Sequence, residues 1–284
     1  MVLSSVIISF SALVIRSIET ATATDINFYR AIAFIVAVFG FMLVQHGKYA
    51  PRKIFSSGLP SFIAGIFLAG AGICFLKAIT STTVAATLFT LSSIPIITAF
   101  MAWILLGEKV TKIALVSMAV ACYGISLMVI AELETLSILG NLLAIATAIF
   151  FAAYATTLRK YKKVEMIPAL LFSGAIIFFA TLPFISPVNS IPLRDIFLCF
   201  VLGAILSAIC NMLFIVASKH LLAAELTLFM LLEFALGPFW VWIFASEVPS
   251  NYTLIGGAIV MFAVLINVFS ELKTASHLKE TSDN

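Results

Sequence analysis

Residues 231–242, with the sequence LLEFALGPFWVW, carry a single acidic side chain, Glu233, in an otherwise apolar segment. Residues spaced by four, four and three positions share one face of an α-helix. This spacing is found in Phe229, Glu233, Gly237 and Trp240. A carboxyl group between two aromatic rings, beside a glycine that leaves space, could bind the amine of an organic solute or carry a proton. Packing within a protein core would explain the two rings equally well.

The surroundings of this acid follow from the composition of the chain. Of the 284 residues, 63% are hydrophobic and 10% are charged, whereas soluble domains carry about 25% charged residues. With a mean hydropathy of +1.19, the chain lacks the polar surface to face water on all sides. It is therefore predicted to be an all-α integral membrane protein whose partners include the lipid bilayer and do not include nucleic acid.

The apolar runs predict ten transmembrane helices, because a helix needs about 20 apolar residues to cross the hydrocarbon core of a bilayer. The runs cover roughly 1–15, 27–46, 58–79, 82–106, 112–131, 138–158, 167–186, 196–218, 222–245 and 252–271. The remaining residues, 272–284, form a polar tail. The loops between the runs are short, so the sequence leaves no room for a soluble domain.

The first run is short for a transmembrane helix. Fifteen residues with a rise of 1.5 Å each reach about 22 Å, and no Lys or Arg precedes them. A cleaved signal peptide is the alternative interpretation, favoured by the small residues at 21–23 but not by the uncharged start. We expect that residue 1 is not the natural start of a complete first helix.

Lysine and arginine indicate the orientation of the helices. With ten transmembrane helices both termini share one side, and the loops and tail on that side hold twelve of the sixteen Lys and Arg residues. The other side has Arg16, Arg30, Lys77 and Arg194. Cytoplasmic loops carry the excess of positive charge, so both termini are predicted to be cytoplasmic, in a cell membrane of the bacterial inner-membrane type.

The two halves of the chain resemble each other at a fixed offset of 139 residues, the distance from Phe75 to Phe214. The matches include the pairs Trp103/Trp242 and Glu108/Glu247, whose glutamates we interpret as interfacial helix ends or gate contacts. The predicted halves are 1–131 and 138–271. Each holds five helices, an odd number, so the second copy enters the membrane from the opposite side. Inverted repeats of this kind are a transporter architecture with a solute site near the midplane, between the repeats.

The segment from Lys77, KAITSTTVAATLFTLSSIPIITAFMAWILLGEKVT, combines small residues, a mid-helix Pro95 and a closing Leu-Gly-Glu at 106–108. In these features it resembles the EamA repeat of the drug/metabolite transporter superfamily, and the second half resembles that repeat more loosely. The resemblance implies a ten-helix secondary transporter of small organic solutes, often an exporter of amino acids or related metabolites. In the second EamA repeat a Glu-Pro pair commonly occurs where this chain has Glu233 and Phe234.

An acid at the centre of a transmembrane helix costs about 2.5–3.5 kcal/mol on insertion scales, and such a group faces protein or a water-filled cavity. Glu233 lies at the centre of the ninth run, where burial would favour its neutral form. It is predicted to bind a solute amine, to carry a coupling proton, or to do both. The structural alternative is a lasting hydrogen bond to Asn211 or to a carbonyl freed by Pro95.

Prolines would leave backbone carbonyls unpaired within two of the predicted helices. Pro95 cannot donate to the carbonyl of Leu91, and Pro238 cannot donate to that of Phe234. Such carbonyls must be satisfied by a neighbour, by water or by a solute. We therefore expect Pro95, Pro238 and the adjacent Gly237 to act as helix breaks or gates, although simple kinks that improve packing would also account for both prolines.

Three further polar side chains are candidates for solute binding. Asn211 would either bridge two helices or bind solute, and Tyr154 would either pack or line the path. Lys77, near the outer end of the third helix, would either extend to the interface or contact an anion. Arg30, one turn into the second helix, is expected to extend to the interface in the same way.

The sequence shows no pattern of residues for catalysis or for a metal or cofactor site. The four cysteines lie inside apolar runs and the three histidines at run ends or in the tail, without ligand spacing. No nucleophile–base set lies within the runs, and a phosphate-binding GxxxxGK[ST] loop is missing from the sequence. We therefore expect a non-enzyme, with a passive channel or a non-transporting scaffold or receptor as alternatives to a transporter.

Overall fold

The computed structural model describes residues 1–81, 87, 90–130, 138–187, 191–233, 236, 240, 243–244, 251–252 and 254–266. Within these ranges the ordered elements are helices, and no strand occurs among them. Four apolar helical segments are long enough to cross a bilayer: Ala23–Ser56, Gly58–Ser81, Ile138–Lys160 and Leu193–Ser218. The prediction of an all-α membrane protein is thereby confirmed.

The first half begins with two short helices, α1 (Val2–Ser9) and α2 (Ser11–Arg16). The next helices are α3 (Ala23–His46), α4 (Ala50–Ser56), α5 (Gly58–Ser81), α6 (Ile94–Leu106) and α7 (Lys112–Ile130). A single 3-10 turn, Gly47–Tyr49, connects α3 to α4. Except for α4, which lies between the second and third predicted runs, these helices overlap the first five predicted runs.

The second half contains α8 (Ile138–Lys160), α9 (Pro168–Thr181) and α10 (Leu193–Phe200), which continues through a π-helical stretch, Val201–Ser207, into α11 (Ala208–Ser218). It ends with α12 (Ala223–Leu228) and α13 (Leu254–Ile266). These helices follow the last five predicted runs. The inverted relation between the halves, and the count of ten transmembrane helices, remain predictions.

Helix α3 begins four residues before the predicted run because a capping box stabilises its first turn. The hydroxyl of Thr22 accepts a hydrogen bond from the backbone N–H of Asp25 at 3.3 Å, and the Asp25 carboxylate accepts one from the N–H of Thr22 at 3.0 Å. Two of the N–H groups that a helix N-terminus leaves unpaired are satisfied in this way. The earlier start places Arg30 about two turns inside the helix instead of one.

Helix α6 ends in the Leu-Gly-Glu motif that the sequence singled out. Gly107 adopts a left-handed conformation with φ of 67°, which glycine reaches without the steric penalty of a side chain. The N–H of Glu108 then donates to the carbonyl of Ala102 at 3.3 Å. The motif thus ends the helix and fixes the position of the Glu108 backbone.

The main helix packing joins one half of the chain to the other. Helix α5 packs against α8 and α9, and α6 packs against α8 and α12. Helix α3 packs against α9, α10 and the π-helical stretch, where a Cβ on Gly203 would lie 2.3 Å from the carbonyl oxygen of Arg30. Only glycine allows two backbones to approach this closely. The site described below lies between these interlocked helices.

Candidate functional site

A cavity of about 180 Å³ lies between the two halves of the chain. The first half contributes Met1, Ser4, Ser5, Ile8, Arg30, Ala31, Phe34, Leu68, Ala71, Gly72, Phe75, Leu91 and Ile94 to its wall. The second half contributes Thr147, Phe151, Ile177, Ser207, Cys210, Asn211, Phe214, Met230 and Glu233. A mostly apolar wall with a few polar groups is typical of a site for a small organic ligand.

Residues separated by the repeat offset line this cavity together. Seven of the nine described second-half residues in the wall have a partner in the wall 139 positions earlier. The pairs are Ile8/Thr147, Leu68/Ser207, Ala71/Cys210, Gly72/Asn211, Phe75/Phe214, Leu91/Met230 and Ile94/Glu233. Such pairing is expected of a cavity that lies on the axis relating two repeats.

Glu233 is partly buried and lines the cavity. Its Oε1 accepts a hydrogen bond from the Ser11 hydroxyl at 3.4 Å, which is longer than the 2.5–3.0 Å range typical of O–H···O bonds. Asn211 does not bind it, because the Asn211 amide donates to the carbonyl of Ser207, on its own helical segment, at 2.9 Å. Among the described residues the carboxyl group therefore has one weak partner, and it also faces the cavity.

A helix break lies a few residues before Glu233. Helix α12 ends at Leu228, and the N–H of Glu233 donates to the carbonyl of Met230, only three residues earlier, at 2.9 Å. The Ser5 hydroxyl donates to the carbonyl of Phe229 at 2.8 Å. The break thus lies at Phe229–Met230. Gly237 and Pro238, the predicted helix-breaking residues in this run, lie outside the described residues.

A second break occurs in the first half, before Pro95. Pro95 lies in the first turn of α6, and the preceding Ser92 and Ser93 form a turn. The Ser93 hydroxyl donates to the carbonyl of Thr90 at 2.6 Å. Ile94, next to Pro95, lines the cavity. Each half therefore brings a helix break to the cavity wall.

The first helical segment, which consists of α1 and α2, contacts the second half through serines that were not predicted from the sequence. Besides Ser5 and Ser11, the Ser4 hydroxyl donates to the carbonyl of Cys210 at 3.1 Å, and the Cys210 thiol donates to the carbonyl of Ser4 at 3.3 Å. Small hydroxyl residues are enriched where transmembrane helices pack closely. Their clustering in the first run was the available sequence signal for this contact.

The two aromatic residues predicted to flank Glu233 contact the first helical segment. Trp240 stacks on Phe10 with ring centroids 4.2 Å apart, and its indole N–H donates to the hydroxyl of Ser9 at 2.7 Å. Phe229 is 5% exposed. Neither ring is among the described residues of the cavity wall. A role of either ring in solute contact remains a prediction.

Tyr154 lies behind the cavity wall. Its ring stacks on Phe214 at 5.8 Å and meets Phe151 edge-to-face at 5.6 Å, and both phenylalanines line the cavity. The side chain is fully buried, and its hydroxyl has no hydrogen-bond partner among the described residues. The ring therefore supports the aromatic wall from outside the cavity.

Two basic residues occupy contrasting positions. Lys77 is exposed on α5, whereas Arg30, which the sequence led us to expect at the interface, lines the cavity. Arg30 Nη2 donates to the Asn27 side-chain carbonyl at 3.2 Å. Arg30 lies about two helical turns from the cap of α3 and three residues after the buried Asn27. To predict the position of Arg30 from the sequence, one would have to know that α3 begins at Ala23.

Polar contacts join the two halves at both ends of the bundle. At the end that holds Lys160 and Lys219, the guanidinium of Arg159 on α8 binds the carboxylate of Glu108 after α6 at 2.6 Å. Glu108 also accepts from the N–H of Ala223 at 3.3 Å. A role of Glu108 as a gate contact remains a prediction, and Glu247 lies outside the described residues.

At the opposite end, first-half and second-half residues are joined through two aspartates. The N–H of Ser186 donates to the Asp25 carboxylate at 2.8 Å, and the Thr20 hydroxyl donates to the Asp195 carboxylate at 2.7 Å. Hydrogen bonds to charged groups are stronger than those between neutral groups. Both ends of the cavity are therefore held by contacts between the halves.

These features define a multi-pass helical membrane protein with a ligand-sized cavity between two interlocked halves. Residues 1–130 match the model of the EamA-like transporter family. The resemblance drawn from the sequence is thereby confirmed.

Among the described residues, no group of His, Cys, Asp and Glu could hold a metal ion.

A solved structure titled "Crystal structure of protein" has the same fold. It aligns with a TM-score of 0.78 over 95% of this chain and 96% of its own length, at 15% sequence identity. At this level of sequence identity, the comparison shows only that the two chains share a fold. A search of the curated proteins finds no match to the chain.

Proposed function

We propose that this protein is a secondary transporter that exports small organic solutes, such as amino acids or related metabolites, through the cavity between its halves. The observation that carries the proposal is the cavity itself, because its wall is built by both halves from residues at the repeat offset. A site shared by two halves can open to either side when the halves move relative to each other. The ten-helix inverted repeat is part of this proposal.

The contacts at the two ends of the bundle are suited to alternate opening. The Glu108–Arg159 pair is 18% and 12% exposed in its side chains, and it joins α6 to α8 across the halves. Separating a largely buried ion pair leaves each charge without its partner at a cost of several kcal/mol, so opening this end requires water to enter and solvate both side chains. Alternating access then consists of breaking the contacts at one end while those at the other end remain.

Glu233 gives the cavity a group whose charge can change during the cycle. A carboxyl group in a closed cavity favours its neutral form, and water entering the cavity favours the ionised form. The ionised form can bind a solute amine, and the change of form can couple solute movement to proton movement. The long bond to Ser11, at 3.4 Å, leaves the carboxyl available for either role.

The orientation follows from the charge distribution along the sequence. We propose that both termini lie in the cytoplasm of a cell with an inner-membrane type of bilayer, because the lysine-rich loops fall on the same side as the termini. A reporter fused after Asn284 that is active only in the cytoplasm tests this orientation. Activity of a reporter that requires the external side would contradict it and the inverted repeat together.

Transport against a gradient distinguishes the proposal from its alternatives. The purified protein would be reconstituted into sealed vesicles with an imposed proton gradient, and a solute chosen by comparing the metabolites of cells with and without the protein would be measured inside. A secondary transporter accumulates the solute above its external concentration. A passive channel only equilibrates it, and a scaffold or receptor leaves it outside. Either of the last two results would contradict the proposal.

A further inference from the structure

The guanidinium of Arg30 is a positive charge in the cavity wall without a negative partner among the described residues. A guanidinium has five N–H donors, and one of them, on Nη2, donates to the neutral side chain of Asn27 at 3.2 Å. No carboxylate lies within ion-pair distance of it in the described parts of the chain. In contrast, Arg159 and Arg194 bind Glu108 and Glu19 at 2.6 and 2.9 Å.

The position of this guanidinium is fixed by three neighbouring elements. The backbone of Arg30 packs on the π-helical stretch at Gly203, where even a Cβ would lie 2.3 Å from its carbonyl oxygen. On α5, a Cβ at Gly72 would lie 3.1 Å from Arg30 Nη2, so the glycine leaves space for the side chain. Asn27, 2% exposed, holds the guanidinium from its own helix.

The two charged residues of the wall are not repeated in the other half. The position 139 residues after Arg30 is Ala169, and the position 139 residues before Glu233 is Ile94. The wall therefore carries one positive and one negative side chain, Arg30 and Glu233, that have no charged counterpart at the repeat offset. A ligand with distinct ends would be held in one orientation by this asymmetry.

We infer that Arg30 is an anion-binding residue of the cavity and that it takes the carboxylate of a monocarboxylate solute with an apolar body. The inference rests on the proposed function, because it assumes that this ligand is the transported solute. A buried positive charge in a membrane protein is costly unless it is paired, and the planar guanidinium binds a carboxylate through two parallel hydrogen bonds. One guanidinium balances one negative charge, and Phe34, Phe75, Phe151 and Phe214 supply the apolar surroundings.

The test compares two ligands that differ only in the charged group, 3-phenylpropionate and 3-phenylpropionamide. Binding of each to the purified full-length protein would be measured by titration calorimetry. The wild-type protein is expected to bind the acid about 10- to 100-fold more tightly than the amide, as the loss of charged hydrogen bonds implies. Equal affinity for the two, or binding of neither, would overturn the inference.

Three variants assign the preference to Arg30. Arg30→Gln removes the charge, and Asn27→Asp keeps the arginine but places a carboxylate at hydrogen-bond distance from it. Both are expected to abolish the preference for the acid, and Asn27→Asp gives this result even if Arg30→Gln folds poorly. The control Arg194→Gln removes an arginine that is 63% exposed at the end of the bundle and is expected to keep the preference. A preference that survives in Asn27→Asp would overturn the inference.

The same variants separate this inference from the transporter proposal. Binding of the acid that depends on Arg30, without accumulation of any solute in sealed vesicles, would leave the anion site intact and contradict transport. Accumulation of solute that is unchanged in Arg30→Gln would support transport and overturn the anion site.

Discussion

In the part of the chain that the structure describes, two charged side chains line the cavity, Arg30 and Glu233, and each is hydrogen-bonded to one neutral partner there. Asn27 accepts from Arg30 at 3.2 Å, and Ser11 donates to Glu233 at 3.4 Å. Single neutral contacts compensate only a small part of the cost of removing a charge from water. Charged residues inside a membrane protein are usually retained for a role with a ligand, an ion or a proton. The two residues therefore form the polar part of the proposed site.

The hydroxyl of Tyr154 leads to a prediction about stability. Because this buried hydroxyl lacks a partner among the described residues, Tyr154→Phe removes an unsatisfied polar group and keeps the ring contacts with Phe151 and Phe214. We expect its thermal unfolding temperature in detergent to equal or exceed that of the wild-type protein.

The variant Tyr154→Ala is the matched comparison, since it also removes the ring. Truncating a buried aromatic residue costs about 3–5 kcal/mol, so this variant should unfold at a clearly lower temperature. If Tyr154→Phe were destabilised by more than about 1 kcal/mol, the hydroxyl would have a structural partner and this account of Tyr154 would be wrong.

Single residues were predictable from the sequence where their type alone was unusual. Glu233 is an acid in an apolar run, and the structure places it at the cavity wall. Its partner Ser11 is 222 residues away, and only the packing of helices brings the two together. Arg30 was misjudged for a local reason: the Thr22–Asp25 capping box starts α3 at Ala23, so the side chain lies about 10 Å inside the helix.

At the scale of elements, the positions of helix breaks were partly predictable. Pro95 identified the break before α6, because proline removes a backbone donor and clashes with the preceding turn. The break at Phe229–Met230 contains neither proline nor glycine. There the Ser5 hydroxyl binds the carbonyl of Phe229, a contact between remote segments that local sequence cannot indicate. Broken helices at a shared cavity are typical of transporter sites.

The π-helical stretch yields a prediction about helix packing. In Gly203→Ala the new methyl group would meet the Arg30 carbonyl oxygen at 2.3 Å and the Ala33 Cβ at 2.9 Å, so α3 and this stretch would have to separate. Overpacking of this kind costs about 1–3 kcal/mol. We expect a lower thermal unfolding temperature in detergent, together with weaker ligand binding at Arg30.

Gly40→Ala is the control for that substitution, since a Cβ at Gly40 meets nothing within 4 Å. It lies on α3 as well, and alanine stabilises a helix relative to glycine by about 1 kcal/mol at most. Its unfolding temperature should match or exceed that of the wild-type protein. Equal stability of Gly203→Ala and Gly40→Ala would contradict the close packing described for α3.

For the whole molecule, composition was sufficient to predict a helical membrane protein, because a chain with 10% charged residues cannot cover a water-facing surface. The offset of 139 residues between the two halves was also informative, since it relates seven pairs of residues that line one cavity. The contacts that hold the halves together at both ends were not predictable. They depend on which helices lie side by side, and short apolar helices contain little information about their neighbours.

The central claim is that Glu233 acts in transport through its ionisation. Glu233→Gln keeps the shape and the hydrogen bonding of the side chain but removes its charge, and Glu19→Gln makes the same change at a residue that is 71% exposed. Accumulation of the identified solute in sealed vesicles would be measured for both variants over a range of pH. We expect Glu19→Gln to behave as the wild-type protein, and Glu233→Gln to be expressed normally but to lose accumulation or its pH dependence. Accumulation by Glu233→Gln with the wild-type pH dependence would contradict the account.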